Sequence, residues 1–261
     1  MFTPAPRKKS KSAPRGKTCG WTRNVSRRNT DFLLSVTPAD LDGFGLALSL
    51  TVKFCPDTAD DWAGVRRAFV KRLQRMGLVR LHWLTEWQRR GVPHLHMAVW
   101  FSGPVLTDLV LHHWLAVTAP YQSGRHAQYV SLITGAAGWF EYLAKHAARG
   151  VAHYQRSPEN IPKGWKTRTG RMWGHVGEWP TQEAKEIDPP VRVWFQYRRL
   201  MIRYQQGKAR RQNDLSRLRY LSRYRSAAPP ETSRAQALPR MWLPEDHQWS
   251  LLACAFSSHS D

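Results

Sequence analysis

From position 45 to about 148 the chain alternates between short apolar runs and longer stretches whose apolar residues fall three or four apart. Gly45 to Phe54 (GLALSLTVKF) is apolar and rich in strand formers, which predicts a buried strand. Thr58-Ala-Asp-Asp-Trp62 reads as a helix start, with Thr58 as N-cap and Asp61 at the acidic position three residues on. Val65, Phe69, Val70 and Leu73 then share one helical face, and Gly77 ends the helix. Leu78 to Trp87 and His94 to Phe101 (HLHMAVWF) read as two strands. The turn Gln88-Arg-Arg-Gly-Val-Pro93 joins them into a β-hairpin. A helix from Leu106 to Thr118, a strand from His126 to Ile133 and a helix from Ala136 to Ala148 follow. This β-α-β-β-α-β-α order predicts an α+β domain, a central antiparallel sheet with helices packed mainly on one of its faces.

The flanks have a different texture. Residues 1–30 hold nine Lys or Arg and no acid, with Pro, Ser and Gly between them, which predicts a disordered basic arm ahead of a domain spanning 31–180. After Gly150 the pattern is irregular as far as Pro190, around the cluster Gly170-Arg-Met-Trp-Gly-His-Val-Gly177. A basic, DNA-binding helical extension is expected over 181–226, read as one C-terminal helix, since Val191 to Arg225 carries eleven Arg or Lys against the single acid Asp214. Residues 227–261 read as a Pro-rich tail, and no internal repeat is apparent.

Charge narrows the class. Forty Lys and Arg against nineteen Asp and Glu leave a net charge of +21. Such an excess repels itself unless the partner is a polyanion. Nucleic acid fits better than a membrane surface, because no apolar run approaches the roughly 20 residues that span a bilayer. No secretory signal is visible, and three widely spaced cysteines form neither a disulfide framework nor a zinc site, so a reducing bacterial cytoplasm is the expected location. The thirteen Trp suit core packing, with base stacking for a minority. Arg198, Arg199, Arg203, Arg210 and Arg211 in the basic extension are candidate phosphate contacts, against the alternative of a merely solvated face.

The third strand carries the chemistry. His94 and His96 are two residues apart, so on a strand both imidazoles leave the same face and can share one metal ion. Glu86, across the hairpin, can add a carboxylate oxygen, although the register is open at this stage. A mixed nitrogen and oxygen site suits Mg²⁺ or Mn²⁺ with positions left for a phosphate oxygen. The alternative is two polar residues facing water. Further along, Tyr142 and Lys145 lie three apart on a helix and share a face. A phenol with a pKa near 10 needs a nearby cation or metal to become a nucleophile. Half-buried packing is the alternative for Tyr142. Tyr121, Tyr129 and Tyr154 are its rivals; His146 and His153 could assist locally, but read more readily as solvated residues.

Taken together these motifs resemble the HUH endonucleases, above all the rolling-circle replication initiators of plasmids and filamentous phages. Gly91-Val-Pro-His-Leu-His-Met97 is similar to the family's metal motif, with Leu95 as the bulky residue between the histidines. Leu46-Ala-Leu-Ser-Leu-Thr51 resembles its first motif, Tyr142-Leu-Ala-Lys145 its nucleophile motif, and Gly170-Arg-Met-Trp-Gly174 the G-R-x-W-G segment that follows. The chain departs from many relatives in placing His146, where they have a second aromatic, after Lys145. The resemblance implies a ferredoxin- or RRM-like sheet and a metal-dependent nick by Tyr142. That nick leaves a 5′-phosphotyrosine and a 3′-OH primer, reversible by strand transfer, with Arg171 and Trp173 near the DNA. The expected partner is origin DNA, single-stranded or in a hairpin. With no phosphate-binding G-x-x-x-x-G-K-[ST] motif present, a host helicase and polymerase would do the rest. A second copy's Tyr142 could complete closure. The competing readings are a single-tyrosine transposase or relaxase, and a DNA-binding protein without catalysis.

Overall fold

The structure is a computed structural model describing residues 19–147, 151, 153–183, 189–222, 243 and 245–258. Five strands make one antiparallel sheet: β1 (Phe44–Thr51), β2 (Leu78–Trp87), β3 (Pro93–Phe101), β4 (Tyr129–Ile133) and β5 (Trp173–Val176). Their spatial order is β4-β1-β3-β2-β5. The α+β class and the central hairpin follow the sequence reading.

β1 shows why the two sheet faces differ. Leu46, Leu48 and Leu50 alternate with Gly45, Ala47, Ser49 and Thr51, and the period of two sends the leucines to one face and the small or polar residues to the other. On the leucine face, Leu95, Met97, Val99 and Phe101 of β3 pack with α2 (Ala59–Arg75) and α3 (Thr107–Val117). Trp114 of α3 meets Trp62 and Phe69 of α2 edge-on, a favoured geometry for buried rings. α2 opens with the predicted capping box: Asp61 N–H donates to Thr58 Oγ1 and Thr58 N–H to the Asp61 carboxylate, both at 3.1 Å.

The opposite face is also covered, which corrects the expectation that helices lie mainly on one side. α1 (Arg23–Ser35) and α4 (Gly135–Ala147) bring Leu33, Trp139 and Leu143 onto Ala98, Trp100 and Ile133. Small residues on β1 make this possible, since a Cβ at Gly45 would stand 2.9 Å from the Trp100 indole nitrogen. α1 begins ahead of Asp31, inside the stretch read as a disordered arm. Its buried residues include Ser26, Asn29 and Thr30, while Arg23, Arg27 and Arg28 are exposed, so polar residues on the inner face hide the helical pattern. Residues 1–18 lie outside the described residues.

Two further elements sit where the sequence shows no regular pattern. β5, only four residues long, pairs with β2 at the sheet edge and contains the tryptophan of the G-R-x-W-G segment. The basic extension is two helices, α5 (Val191–Arg211) and α6 (Leu215–Ser222), rather than one. Asn213 breaks them with a left-handed φ of 54°, and the Asp214 carboxylate accepts from Arg217 N–H at 2.9 Å to start α6. α7 (Glu245–Ser257) falls in the span read as a tail and packs with α5 around Val193, Tyr197, Met201, Leu243 and Ala255. Trp87, Trp100, Trp114, Trp139 and Trp165 are fully buried, so these tryptophans serve packing. Among the described residues no helix is long and apolar enough to cross a membrane.

Candidate metal centre

The β2–β3 turn closes through Gln88 N–H donating to Val92 C=O at 3.0 Å, with Gly91 at φ +72° supplying the left-handed step. This fixes the register the sequence left open. Glu86 stands opposite His94, and His96 lies between Leu84 and Ser49. Opposed residues share a face, so Glu86, His94 and His96 all leave the small-residue face, under α4. Thr51 ends β1 beside them, and Arg90 of the turn donates to the Thr51 hydroxyl at 3.4 Å and to Val52 C=O at 2.6 Å.

Three of these side chains converge. Glu86, His96 and His146 each bring a ligand atom within 4.8 Å of the others, and all three residues are buried. The Glu86 Oε2 to His96 Nε2 distance is 3.4 Å, and His96 Nδ1 lies 3.0 Å from Ser49 Oγ. A proton on Nδ1 donated to Ser49 turns the Nε2 lone pair toward Glu86, the usual way a hydrogen bond fixes a ligating histidine. Two imidazoles and one carboxylate form a donor set that a divalent ion fits. His94 stands next in line, its ring 4.4 Å from that of His96, but its Nδ1 is engaged by the Gln88 amide at 2.8 Å. The third converging residue is thus His146 from α4, which the sequence reading took for a solvated histidine.

Arg156 holds this arrangement from behind. It is buried, and its Nε donates to Glu86 Oε1 at 2.8 Å. Its other nitrogens donate to Ser26 Oγ of α1 at 3.2 Å and to the His146 carbonyl of α4 at 3.0 Å, while the guanidinium lies 4.0 Å over the Trp21 ring. One side chain therefore ties β2, α1 and the end of α4 together, and it leaves the second oxygen of Glu86 facing His96.

Tyr142 occupies the next position in a row of rings. Its centroid is 4.5 Å from that of His146, which is 4.5 Å from that of His96. The hydroxyl points the other way, into the protein, 2.9 Å from His82 Nδ1; His82 Nε2 in turn lies 2.9 Å from Asn29 Oδ1. An amide oxygen only accepts, so His82 carries its proton on Nε2 and accepts the phenol hydrogen bond at Nδ1. Burial, then the nearby Glu86 charge, raises the Tyr142 pKa well above the ordinary phenol value. Burial, then His175, lowers His82 to about 3. Both groups are neutral here. Lys145 is exposed, whereas Tyr142 and His146 are buried beneath the helix. Of the rivals, Tyr129 and Tyr154 are exposed and Tyr121 is half-buried.

The remaining sequence candidates scatter. Arg171 is exposed, and Trp173 is half-buried beside Phe32 and His175 on β5. Gly174 packs against Trp83, where a Cβ would come to 3.0 Å. Arg199, Arg203, Arg210 and Arg211 are exposed along α5, but Arg198 is buried. His82 and His146 each carried a signal: His82 lies four residues before Glu86 on the same strand face, and His146 one helical turn after Tyr142. Asn29 and Arg156 carried none.

This geometry sits in a chain with close relatives among replication proteins. It is 47% identical over 236 residues to a replication-associated protein of Pseudomonas phage Pf3, covering 89% of this chain and 84% of that one. Two chains of Xylella fastidiosa, provisionally named replication proteins, are similar to it. One, from strain 9a5c, is 48% identical over 88% of this chain and 84% of its own. The other, from strain Temecula1, is 47% identical over 86% and 88% respectively. The chain belongs to this family of replication proteins. No protein-family model and no solved structure matches it.

Proposed function

We propose that this replication protein starts DNA synthesis by nicking one strand of an origin through Tyr142. The observation that carries the reading is the convergence of Glu86, His96 and His146 one ring away from Tyr142. A mixed nitrogen and oxygen set suits Mn²⁺ better than Mg²⁺, which prefers oxygen alone. Once bound, such an ion would polarise the scissile phosphate and offset its developing negative charge. Glu86, His96 and His146 would hold it, with His94 alongside.

The chain's own groups set the rest. Tyr142 Oη loses its proton and forms a bond to phosphorus, the phosphorus to 3′-oxygen bond breaks, and that oxygen takes up a proton in place of the one the phenol lost, leaving as the 3′-hydroxyl that primes synthesis. The 5′ end stays on the tyrosine until a 3′-hydroxyl attacks and returns the phenol. His82 holds the phenol in place, but with a pKa lowered to about 3 it is too weak a base to keep its proton. The phenol is buried and bonded to His82, so attack requires Tyr142 to leave this bond for the phosphate. In this reading exposed Lys145 and Arg171 and half-buried Trp173 would meet the strand from outside. Unwinding and extension would then fall to a host helicase and polymerase.

The test is incubation of the protein with Mn²⁺ and a single-stranded oligonucleotide from its own replicon's origin. A covalent protein–DNA adduct is expected, lost in Tyr142→Phe and in His96→Ala. An adduct that survives Tyr142→Phe moves the nucleophile elsewhere. Binding with no adduct in any divalent metal makes the protein a DNA-binding module without this chemistry.

A further inference from the structure

α5 carries seven cations and no acid. Arg192, Arg199, Arg203 and Arg210 are separated by seven, four and seven residues. At 100° per residue they fall within about 40° of one another, a stripe roughly 27 Å long. All four are exposed. Among the described residues, none of their side chains takes part in a hydrogen bond, ion pair or ring contact. The helix is fixed from its other side, where Val193, Tyr197 and Met201 pack with Leu243 and Ala255. Like charges lined up on a rigid rod repel one another, and no described acid forms an ion pair with them.

We infer that the stripe Arg192, Arg199, Arg203 and Arg210 binds the phosphate backbone of duplex DNA, independently of sequence. This rests on the reading of the chain as a DNA-binding replication protein, but not on the nicking chemistry. Two observations favour duplex over single strand. A straight row of cations on a rigid helix matches a rigid polyanion, whereas a single strand would have to be ordered to follow it. Single-strand sites also stack bases on exposed aromatics, and the aromatics of α5, Trp194, Phe195, Tyr197 and Tyr204, are buried or half-buried. Arg198, the neighbour of Arg199, is buried and stays out of the contact.

The experiment measures the salt dependence of binding to a 30-base-pair duplex of arbitrary sequence and to a 30-nucleotide thymidine oligomer. Each phosphate contact contributes about 0.9 to the slope of log affinity against log salt concentration, so replacing all four arginines by Gln should make the duplex slope shallower by about 3.6. Gln keeps the helix propensity of Arg, and helicity is checked by circular dichroism. Should the fourfold variant not fold, each single Arg→Gln change should lower the slope by about 0.9. A control removing Lys208 and Arg211, off the stripe, should lose less than half as much per charge. An unchanged duplex slope, an equal loss per charge in the control, an equal loss on the thymidine oligomer, or no duplex binding by the unsubstituted protein would each overturn the stripe. Adduct formation on a single-stranded origin oligonucleotide should persist in the fourfold variant. If the unsubstituted protein forms no adduct, the nicking chemistry fails while the salt slopes still decide the stripe.

Discussion

The phenol of Tyr142 and the imidazole of His82 meet inside the protein, and both are held neutral there chiefly by burial. For His82 this sets a pH dependence. Its folded pKa, about 3, lies below the ordinary 6.5, so between those values the unfolded chain takes up a proton that the native state refuses. The contribution is fully present above about pH 6.5 and is lost as the pH falls toward 3, at about 1.4 kcal/mol per pH unit. Urea denaturation should show the protein losing about 2 kcal/mol more than its His82→Gln variant between pH 6.5 and 5. Parallel losses in the two proteins would show that His82 is not buried neutral. Arg156 is a second residue whose role extends past its own contact. Its partner Glu86 is equally buried, and removing one member of a buried ion pair typically costs about 3–5 kcal/mol. Arg156→Met should therefore unfold at much lower urea concentration. Arg156→Lys, which restores the charge but not the simultaneous bonds to Ser26 and His146, should recover part of the loss.

At the scale of elements, β5 shows how one small residue places a strand. Gly174 lies against the Trp83 ring, over which the Arg66 guanidinium also lies, 3.5 Å from the ring centroid. With a Cβ at 3.0 Å from that ring, Gly174→Ala forces either the indole or the edge strand to shift, at a cost of about 1–3 kcal/mol. Thermal denaturation checks this; an unchanged Tm would mean that β5 moves freely on β2. Elements with strong local punctuation were legible in the chain. α2 has its capping box, and β2 and β3 flank a tight turn, so the histidine-bearing strand and its neighbour Glu86 could be placed from residue types alone. β5 is too short to show a period, and α1 buries Ser26, Asn29 and Thr30, whose polarity imitates a loop. The candidate centre was legible to the same extent. Its β2 and β3 contributions, Glu86 and His96, come from one hairpin. His146 shares a helical face with Tyr142, but it and Arg156 reach the centre only by the docking of α4 and of the segment after it, a tertiary event that spacing does not record.

For the whole molecule, the same dispersal would make metal binding at this centre and folding one equilibrium. Glu86 and His96 come from β2 and β3, His146 from α4, and Arg156 links both to α1. The unfolded chain holds no such arrangement, so an ion that binds here binds the native state alone. At a free Mn²⁺ concentration about 100 times its Kd it should add about 2.7 kcal/mol to the unfolding free energy, reversed by a chelator. The substitutions then decide which histidine completes the centre. If Glu86, His96 and His146 are the ligands, Glu86→Gln, His96→Ala and His146→Ala each remove the Mn²⁺-dependent increment, whereas His94→Ala, whose ring is held by Gln88, keeps most of it. The reverse result, loss in His94→Ala and retention in His146→Ala, would mean that His94 swings from Gln88 to take the ion. Position 146 would then be occupied by a packing residue beside Tyr142. Because the increment is the difference between each variant with and without metal, a substitution that merely weakens the fold lowers both measurements and leaves the difference intact.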